Sequence, residues 1–266
     1  MIPGLSDSVA ERLGDALDPR VTAITANDLA NLPFVMLSPG DPDLLRLGIH
    51  ASGHPDLVVV ATDPDRPIGR LAINAVSPGC LLFIDNRAAG GELHGNVRML
   101  GPGCAAVFTE LGAGYIALEE LFMRSAGQLL FWGRGATAVG CSIELQGDNH
   151  SAVIGDDCLL SSGIWIRNHD MHAVHDISTG ERINHPPVDT VLERHVWIGQ
   201  NALLLNCQRI GAGSIIGAQS LVKGVVGDCV AVGGAPARVL RNQVSWGRDI
   251  VGMTAIERAM LGLAAI

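Results

Sequence analysis

The chain has 266 residues, 48% of them hydrophobic, enough to bury a sizeable core in one large domain or in one domain with an extension. Its formal charge of -9, from 18 Lys and Arg against 27 Asp and Glu, excludes a general binder of phosphate backbones, so no nucleic-acid partner is expected. Asp7, Glu11, Asp15 and Asp18 break any secretory-leader pattern, and Asp85, Arg134 and Asp156 interrupt the longest apolar runs, which points to a soluble, cytoplasmic protein without a membrane span.

Near the start, Ser8-Val9-Ala10-Glu11 has capping-box spacing ahead of Leu13 and Leu17 and predicts a helix. Leu57 to Ala61, Leu71 to Val76 and Leu81 to Ile84 predict strands separated by Pro and Gly turns. Residues 1–70 are expected to form an irregular N-terminal region that leads into a more regular domain over residues 71–241. The cysteines Cys80, Cys104, Cys141, Cys158, Cys207 and Cys229 contain no Cys-x-x-Cys pair and are expected to be reduced, buried thiols.

From the middle of the chain a repeat takes over. Leu192, Ile198, Leu204, Ile210, Ile216 and Val222 recur every six residues; Gly199, Gly211 and Gly217 follow three of them; small residues stand four positions on at Val196, Ala202, Ser214 and Ser220, with Gln208 as the departure. Upstream, Ile154, Leu160 and Ile166 keep the step, and Val139, Gly140 and Leu145 mark a less regular rung. A step of six fits neither a helix nor an alternating hairpin. It fits a triangular coil in which each unit makes one flat side and one corner, with the aliphatic residues stacked inward. Glycine beside a corner is expected to supply backbone angles that a side chain opposes.

Between Ile166 and Leu192 the register breaks, so residues 167–191 must leave the prism as a loop, and loops of this length are often functional. At the far end Thr254-Ala255-Ile256-Glu257 is a second capping box. It predicts a helix running through Leu263 in a C-terminal extension, residues 242–266, placed to cover the end of the prism or a neighbouring subunit.

The run from Val196-Trp197-Ile198-Gly199 through Gly234-Ala235-Pro236-Ala237-Arg238-Val239-Leu240-Arg241 closely resembles the hexapeptide-repeat acyltransferases. Asp170-Met171-His172-Ala173-Val174, followed by Gly180-Glu181-Arg182-Ile183-Asn184, resembles the branch that O-acetylates sugars and capsular polysaccharides. The resemblance covers roughly residues 139–246. It implies a mainly β fold: a left-handed parallel β-helix of hexapeptide repeats, with the irregular N-terminal region and the C-terminal helix attached. It further implies a homotrimer with active sites between adjacent prisms. Acetyl-coenzyme A is the implied acyl donor, held near Gly199, Ala218 and Ser220, with Lys223, Arg238 and Arg241 toward its phosphates and a sugar as the implied acceptor. Lys223 stands three residues after Ser220, where some relatives carry their lysine four residues after.

Moving an acetyl group from a thioester to an alcohol requires a base for the hydroxyl proton and donors for the oxyanion. A histidine near neutrality serves the first need, and a carboxylate on its other nitrogen would fix the tautomer. His172 is the candidate base, with Asp170 or Asp176 as its partner; His169 is the alternative, His175 a neighbour able to exchange roles, and His150 a weaker candidate. His50, His54, His94 and His185 read as solvated or structural residues, and Trp197 as a packing residue at a corner. No metal is expected. Two rival readings remain: a metal enzyme resembling the γ-type carbonic anhydrases, using His169, His172 and His175, and a non-catalytic β-helix scaffold.

Overall fold

The computed structural model describes residues 35–112, 114–184 and 186–263. The helix expected over Ser8 to Leu17 and the side chain of His185 lie outside the described residues. The first described elements are β1 (Val35–Leu37), antiparallel to β3 (Val58–Ala61), and the short helix α1 (Pro42–Leu47). The Asp41 side chain caps α1 by accepting from the Asp43 N–H at 3.0 Å, and Gly48 ends it at a φ of 82°.

From there the chain winds. β2 (Ile49–Gly53), β4 (Gly69–Ala75), β6 (Glu92–Met99), β8 (Tyr115–Met123) and β10 (Thr137–Leu145) stack in parallel on one another. β3, β5 (Leu81–Ile84), β7 (Ala105–Phe108), β9 (Leu129–Trp132) and β11 (Ser151–Ile154) do the same on another side. β10 bends across two sides, so both β12 (Leu159–Leu160) and β13 (Ile164–Arg167) stack on it. β14 (Thr190–Leu192) lies on β11, β15 (Trp197–Ile198) on β12, and β16 (Leu203–Ile210) on β13 and β14. β17 (Ile215–Ile216), β18 (Leu221–Val226) and β19 (Val230–Gly233) continue the three sides, and β20 (Arg238–Asn242) folds back antiparallel on β19. The parallel β-helix expected from the repeat is the fold observed.

Its interior is the expected ladder. Leu192, Ile198, Leu204, Ile210, Ile216 and Val222 are all buried in one continuous core with Ile154, Leu160 and Ile166. Upstream the inward residue is Ala138; Val139 is 66% exposed, which corrects its assignment as a rung residue. The glycines also act differently from expectation. Gly199 and Gly211 do not have positive φ; a Cβ on Gly199 would lie 2.6 Å from the Ala218 nitrogen, and one on Gly211 2.6 Å from that of Asp228, so they are small because the next coil passes directly against them. The left-handed angles fall two residues later, at Asp157, Gly163, His195, Asn201, Gly213 and Gln219, each the third residue after an inward aliphatic.

The coils differ in girth. In the hexapeptide half Leu203 stacks on Leu221, so one circuit takes three hexapeptide units. In the earlier half Leu81 stacks on Ala105 and Leu129 on Ser151, so those circuits are longer and unequal to one another. Stacking already includes Ile49–Gly53 and Val58–Ala61, ahead of the boundary expected at residue 71. At the other end α2 (Ala255–Met260) is shorter than expected and has its full capping box: Thr254 Oγ1 accepts from the Glu257 N–H, and Glu257 Oε2 accepts from the Thr254 N–H. It rests on a corner of the prism, where the Arg194 guanidinium donates to the Met260 carbonyl. No helix among the described residues is long and apolar enough to cross a membrane.

Candidate active site

The insertion between β13 and β14 leaves the prism directly after Arg167. Its outer part is a narrow ribbon: the Ile183 N–H donates to the Val174 carbonyl, and His175 and Arg182 form an antiparallel bridge. Its inner part is a tight turn at Asp170-Met171-His172, closed by the His172 N–H donating to the Asp170 carbonyl at 2.8 Å, with Met171 at a φ of 65°. That is a γ-turn of the strained type, and strain of this kind persists only where the surroundings over-determine it.

The surroundings are polar and specific. Asp170 accepts from Asn184 Nδ2 on one carboxylate oxygen and from Asn206 Nδ2 on the other, at 3.1 and 3.2 Å. Asn184 also donates to the His172 carbonyl at 2.9 Å. His169, only 3% exposed, accepts from the Met171 N–H through Nδ1 at 2.9 Å, while its Nε2 is buried without a partner among the described residues. Burial lowers the pKa of His169, so its ring is neutral with the hydrogen on Nε2, and it braces the turn from beneath. His172, on the outside of the same turn, is exposed.

Asp176, the other carboxylate considered as a partner, is engaged elsewhere. Its Oδ1 accepts from the Ser178 hydroxyl and from the backbone N–H groups of Ser178 and Thr179, and these bonds, the Ser178 hydroxyl first, hold its pKa below the usual range. His175 donates to the Gly180 carbonyl, and His150 pairs with Asp189 at 3.2 Å.

Asp170, Asn184 and Asn206 open into a cavity of about 540 Å³ whose far wall is Lys223 and Gly224 on β18. Lys223 also lines a smaller cavity of about 130 Å³ that continues to Ala237 and Val239 beside the last hairpin. Lys223 therefore stands between the two cavities, and the exposed Arg238 and Arg241 lie on β20, the strand that also carries Val239. None of these three cations has an ion-pair partner among the described residues, whereas Arg98, Arg124, Arg167, Arg209 and Arg248 are all paired. Ala218 is exposed; Gly199 is buried and donates its N–H to Ile216; the Ser220 hydroxyl is buried and spent on the Gly217 carbonyl.

The chain bears a strong likeness to known acyl-transfer proteins. It is 48% identical over 52 residues to a polysialic acid O-acetyltransferase of Neisseria meningitidis, a match covering 20% of this chain and 24% of that one. With a polysialic acid O-acetyltransferase of Escherichia coli O1:K1 it shares 31% identity over 112 residues, 42% of this chain and 36% of the relative. The matched segments thus span well under two thirds of either relative. The solved structure of the polysialic-acid-specific acetyltransferase NeuO superposes with a TM-score of 0.64 at 20% identity, over 80% of this chain and 95% of that one. The resemblance to the hexapeptide-repeat acyltransferases holds. No family profile matches the chain.

One buried histidine escaped the sequence reading. His195, fully buried on the corner before Val196, directs Nδ1 at Asp157 Oδ2 (2.7 Å) and Nε2 at the Trp246 carbonyl (2.8 Å), and it stacks on the Trp246 ring at 4.3 Å. With Glu257 these residues form the one group among those described whose ligand-type atoms lie close enough to share a metal ion. Every member already has protein partners: Arg248 donates to Asp157 and, through its backbone, to Glu257. The cluster fastens the C-terminal segment to the prism and includes none of the histidines of the loop. Trp197, 38% exposed, leans on Trp246 at 6.0 Å, in keeping with a packing residue. Cys158 and Cys207 are buried thiols whose pKa values burial pushes up to about 12, so they are poor nucleophiles.

Proposed function

We propose that this protein is an acetyl-coenzyme A-dependent O-acetyltransferase acting on a hydroxyl of a sugar, within a polysaccharide or its precursor. The observation that carries the reading is the cavity between the Asp170 carboxylate of the His172 turn and Lys223, with Lys223, Arg238 and Arg241 free of ion-pair partners among the described residues in a chain of net charge -9. The pantetheine arm lies along the coils between the exposed Ala218 and Lys223, and Lys223, Arg238 and Arg241 face its phosphates. His172 removes the proton of the acceptor hydroxyl as its oxygen attacks the thioester carbon, then returns that proton to the departing thiolate. Asp170, clamped by Asn184 and Asn206, orients the turn and stabilises the imidazolium formed during attack. The exposed His172 leaves one side of the cleft open, which agrees with a homotrimer in which a second copy closes it.

The names of the relatives support a glycan acceptor. The metal-enzyme reading draws no support from the loop, where the three histidines make separate protein contacts or face solvent.

The test is release of free thiol from acetyl-coenzyme A with a panel of glycan acceptors, in wild type and His172→Ala, beside the thermal shift each shows with the donor. Donor at 100 times its dissociation constant adds roughly 2.7 kcal/mol. Both proteins should shift, and the variant should lose about 10²–10⁴ in acceptor-dependent turnover. A variant that retains turnover removes His172 as base; absence of any shift in wild type removes the donor.

A further inference from the structure

The flat side made by β2, β4, β6, β8, β10 and β13 carries a second, larger cavity, away from the candidate active site. Its volume is about 620 Å³, and His50, Ser52, Asn74, Asn96, Arg98 and Glu119 are among the residues lining it. Beyond the cavity itself, the strand register continues its lining column toward the active site. Ser52 stacks on Asn74, Asn74 on Arg98, Arg98 on Phe122, Phe122 on Glu144, and Glu144 on Arg167, in an unbroken column of outward side chains. Arg167 is the last residue before the loop of His169, Asp170 and His172. At about 4.8 Å per coil, the path from Asn74 to Arg167 is roughly 19 Å long.

The chemistry of this strip selects its occupant. The Arg98 guanidinium lies 4.6 Å over the Phe122 ring and that of Arg167 4.9 Å over Trp165, giving flat, rigid plates. The guanidinium charges are already met: Arg98 pairs with Glu120 at 2.9 Å, while Arg124 and Arg167 share Glu144 at 2.5 and 2.6 Å. With Glu119 in the same wall, no positive charge is left over for a polyanion. Asn74 donates to Ser52 Oγ and Asn96 to the Glu119 carbonyl, and both amide oxygens lack a partner among the described residues. The cavity therefore offers hydrogen-bond donors and acceptors in a row, and with Arg98 set against both Glu119 and Glu120 its charge balance is negative, which disfavours an anionic ligand. Sugar hydroxyls match that pattern; lipid and nucleic acid do not.

We infer that this side of the prism is a binding groove for an extended, uncharged glycan, which lies along the coils with its acceptor unit at the His172 turn. The direction of the chain rests on the acetyltransferase reading above; the groove itself does not. The groove separates this chain from the relatives named for polysialic acid, whose acceptor is a polyanion.

The experiment measures direct binding, without acetyl-coenzyme A, of short and long neutral oligosaccharides (glucan, galactan, mannan and N-acetylhexosamine series) and of oligosialic acids of equal length. The full chain and Asn74→Trp, which fills the groove from an outward strand position, are compared, with a melting curve to confirm that the variant is folded; Asn96→Ala serves as a second variant should it not be. At least one neutral series should bind about tenfold more tightly as it lengthens, and the variant should erase that gain. Oligosialic acids binding more tightly than every neutral series, binding independent of length, no neutral binding, or an unaffected variant would each overturn the inference. Because donor is absent from the binding assay, a protein that binds the long glycan yet shows no thermal shift with acetyl-coenzyme A refutes the transferase reading alone.

Discussion

Replacing Gly199 with alanine tests whether this glycine serves the donor or the packing of the coils. In the structure a Cβ at Gly199 would sit 2.6 Å from the Ala218 nitrogen, 2.7 Å from the Ile216 carbonyl oxygen and 2.9 Å from the Gly217 carbonyl carbon. All three atoms are backbone of the next coil, so no side chain can swing away. Ordinary contact begins near 3.4 Å, and the two coils must therefore separate by several tenths of an ångström where the Gly199 N–H bonds to Ile216 at 2.8 Å. Overpacking of this kind costs about 1–3 kcal/mol, and in a chain of this size each kcal/mol lowers the melting temperature by roughly 2–4 °C. Gly227→Ala is the matched control, since nothing lies within 4 Å of its Cβ and its φ is not left-handed. That change should leave stability within about 1 kcal/mol of wild type, on the stabilising side, because it reduces the freedom of the unfolded chain. Melting and urea unfolding of both variants, with and without acetyl-coenzyme A, decide the matter. Equal midpoints for the two variants would refute the packing argument; a Gly199→Ala protein of normal stability that fails to shift with donor would return this glycine to the binding site.

Glu144→Gln should weaken the protein near neutral pH by about 2 kcal/mol, because Glu144 is buried and accepts charged hydrogen bonds from Arg124 and Arg167. Burial alone would raise the pKa of Glu144, but those bonds outweigh it and hold the carboxyl below the usual glutamate range, so its contribution is complete above the unfolded-state pKa and is lost as pH falls through the folded one. Urea midpoints should accordingly converge for the two proteins as pH falls below the usual carboxylate range, and parallel curves would contradict the assignment. His169→Phe removes the acceptor for the Met171 N–H and should lower kcat about tenfold or more while leaving the KM for acetyl-coenzyme A near wild type, as expected of a residue that positions another; a rise in donor KM alone would point to a binding role. Arg248→Ala severs the bonds to Asp157, Thr137 and the Gly135 and Cys158 carbonyls, so limited treatment with proteinase K, which does not require a basic residue, should remove the segment beyond Trp246 sooner than in wild type. An unchanged cleavage rate would show that α2 holds the segment unaided.

The hexapeptide half was legible because its coils have constant length, so each structural role returns at a fixed step and the inward ladder from Leu192 to Val222 stands out. The preceding coils obey the same stacking rule with longer, unequal circuits, and the surplus residues at their corners erase any fixed period even though the strands remain in register. Val139 shows the same limit locally: its neighbour Ala138 is the inward residue, and a small side chain beside a large one reverses the apparent pattern. Which glycine does what was equally hidden, since close approach of the next coil and a left-handed φ leave the same letter in the sequence.

The site was legible only in its local part. Asp170 and His172 carry a recognisable spacing, but Asn206 reaches Asp170 from the third strand further along the chain and Lys223 closes the cavity from a later coil still, and only stacking brings them there. The prism makes that assembly possible. Trp165 stacks on Leu203 and Ala152 on Thr190, the same interval along the chain on two sides, so the chain leaves after Arg167, builds the turn and ribbon, and re-enters in register without disturbing the coils on either side. The entropy of closing such a loop grows only slowly with length, so the insertion costs the prism little. What holds the loop in place is the set of contacts that the coils offer it: His169 buried beneath the turn, Asp170 clamped by Asn206, and the Val188 N–H bonded to the Asn168 carbonyl. The rigid coil fixes where the histidine turn stands, and the loop between Arg167 and Thr190 can vary without disturbing it.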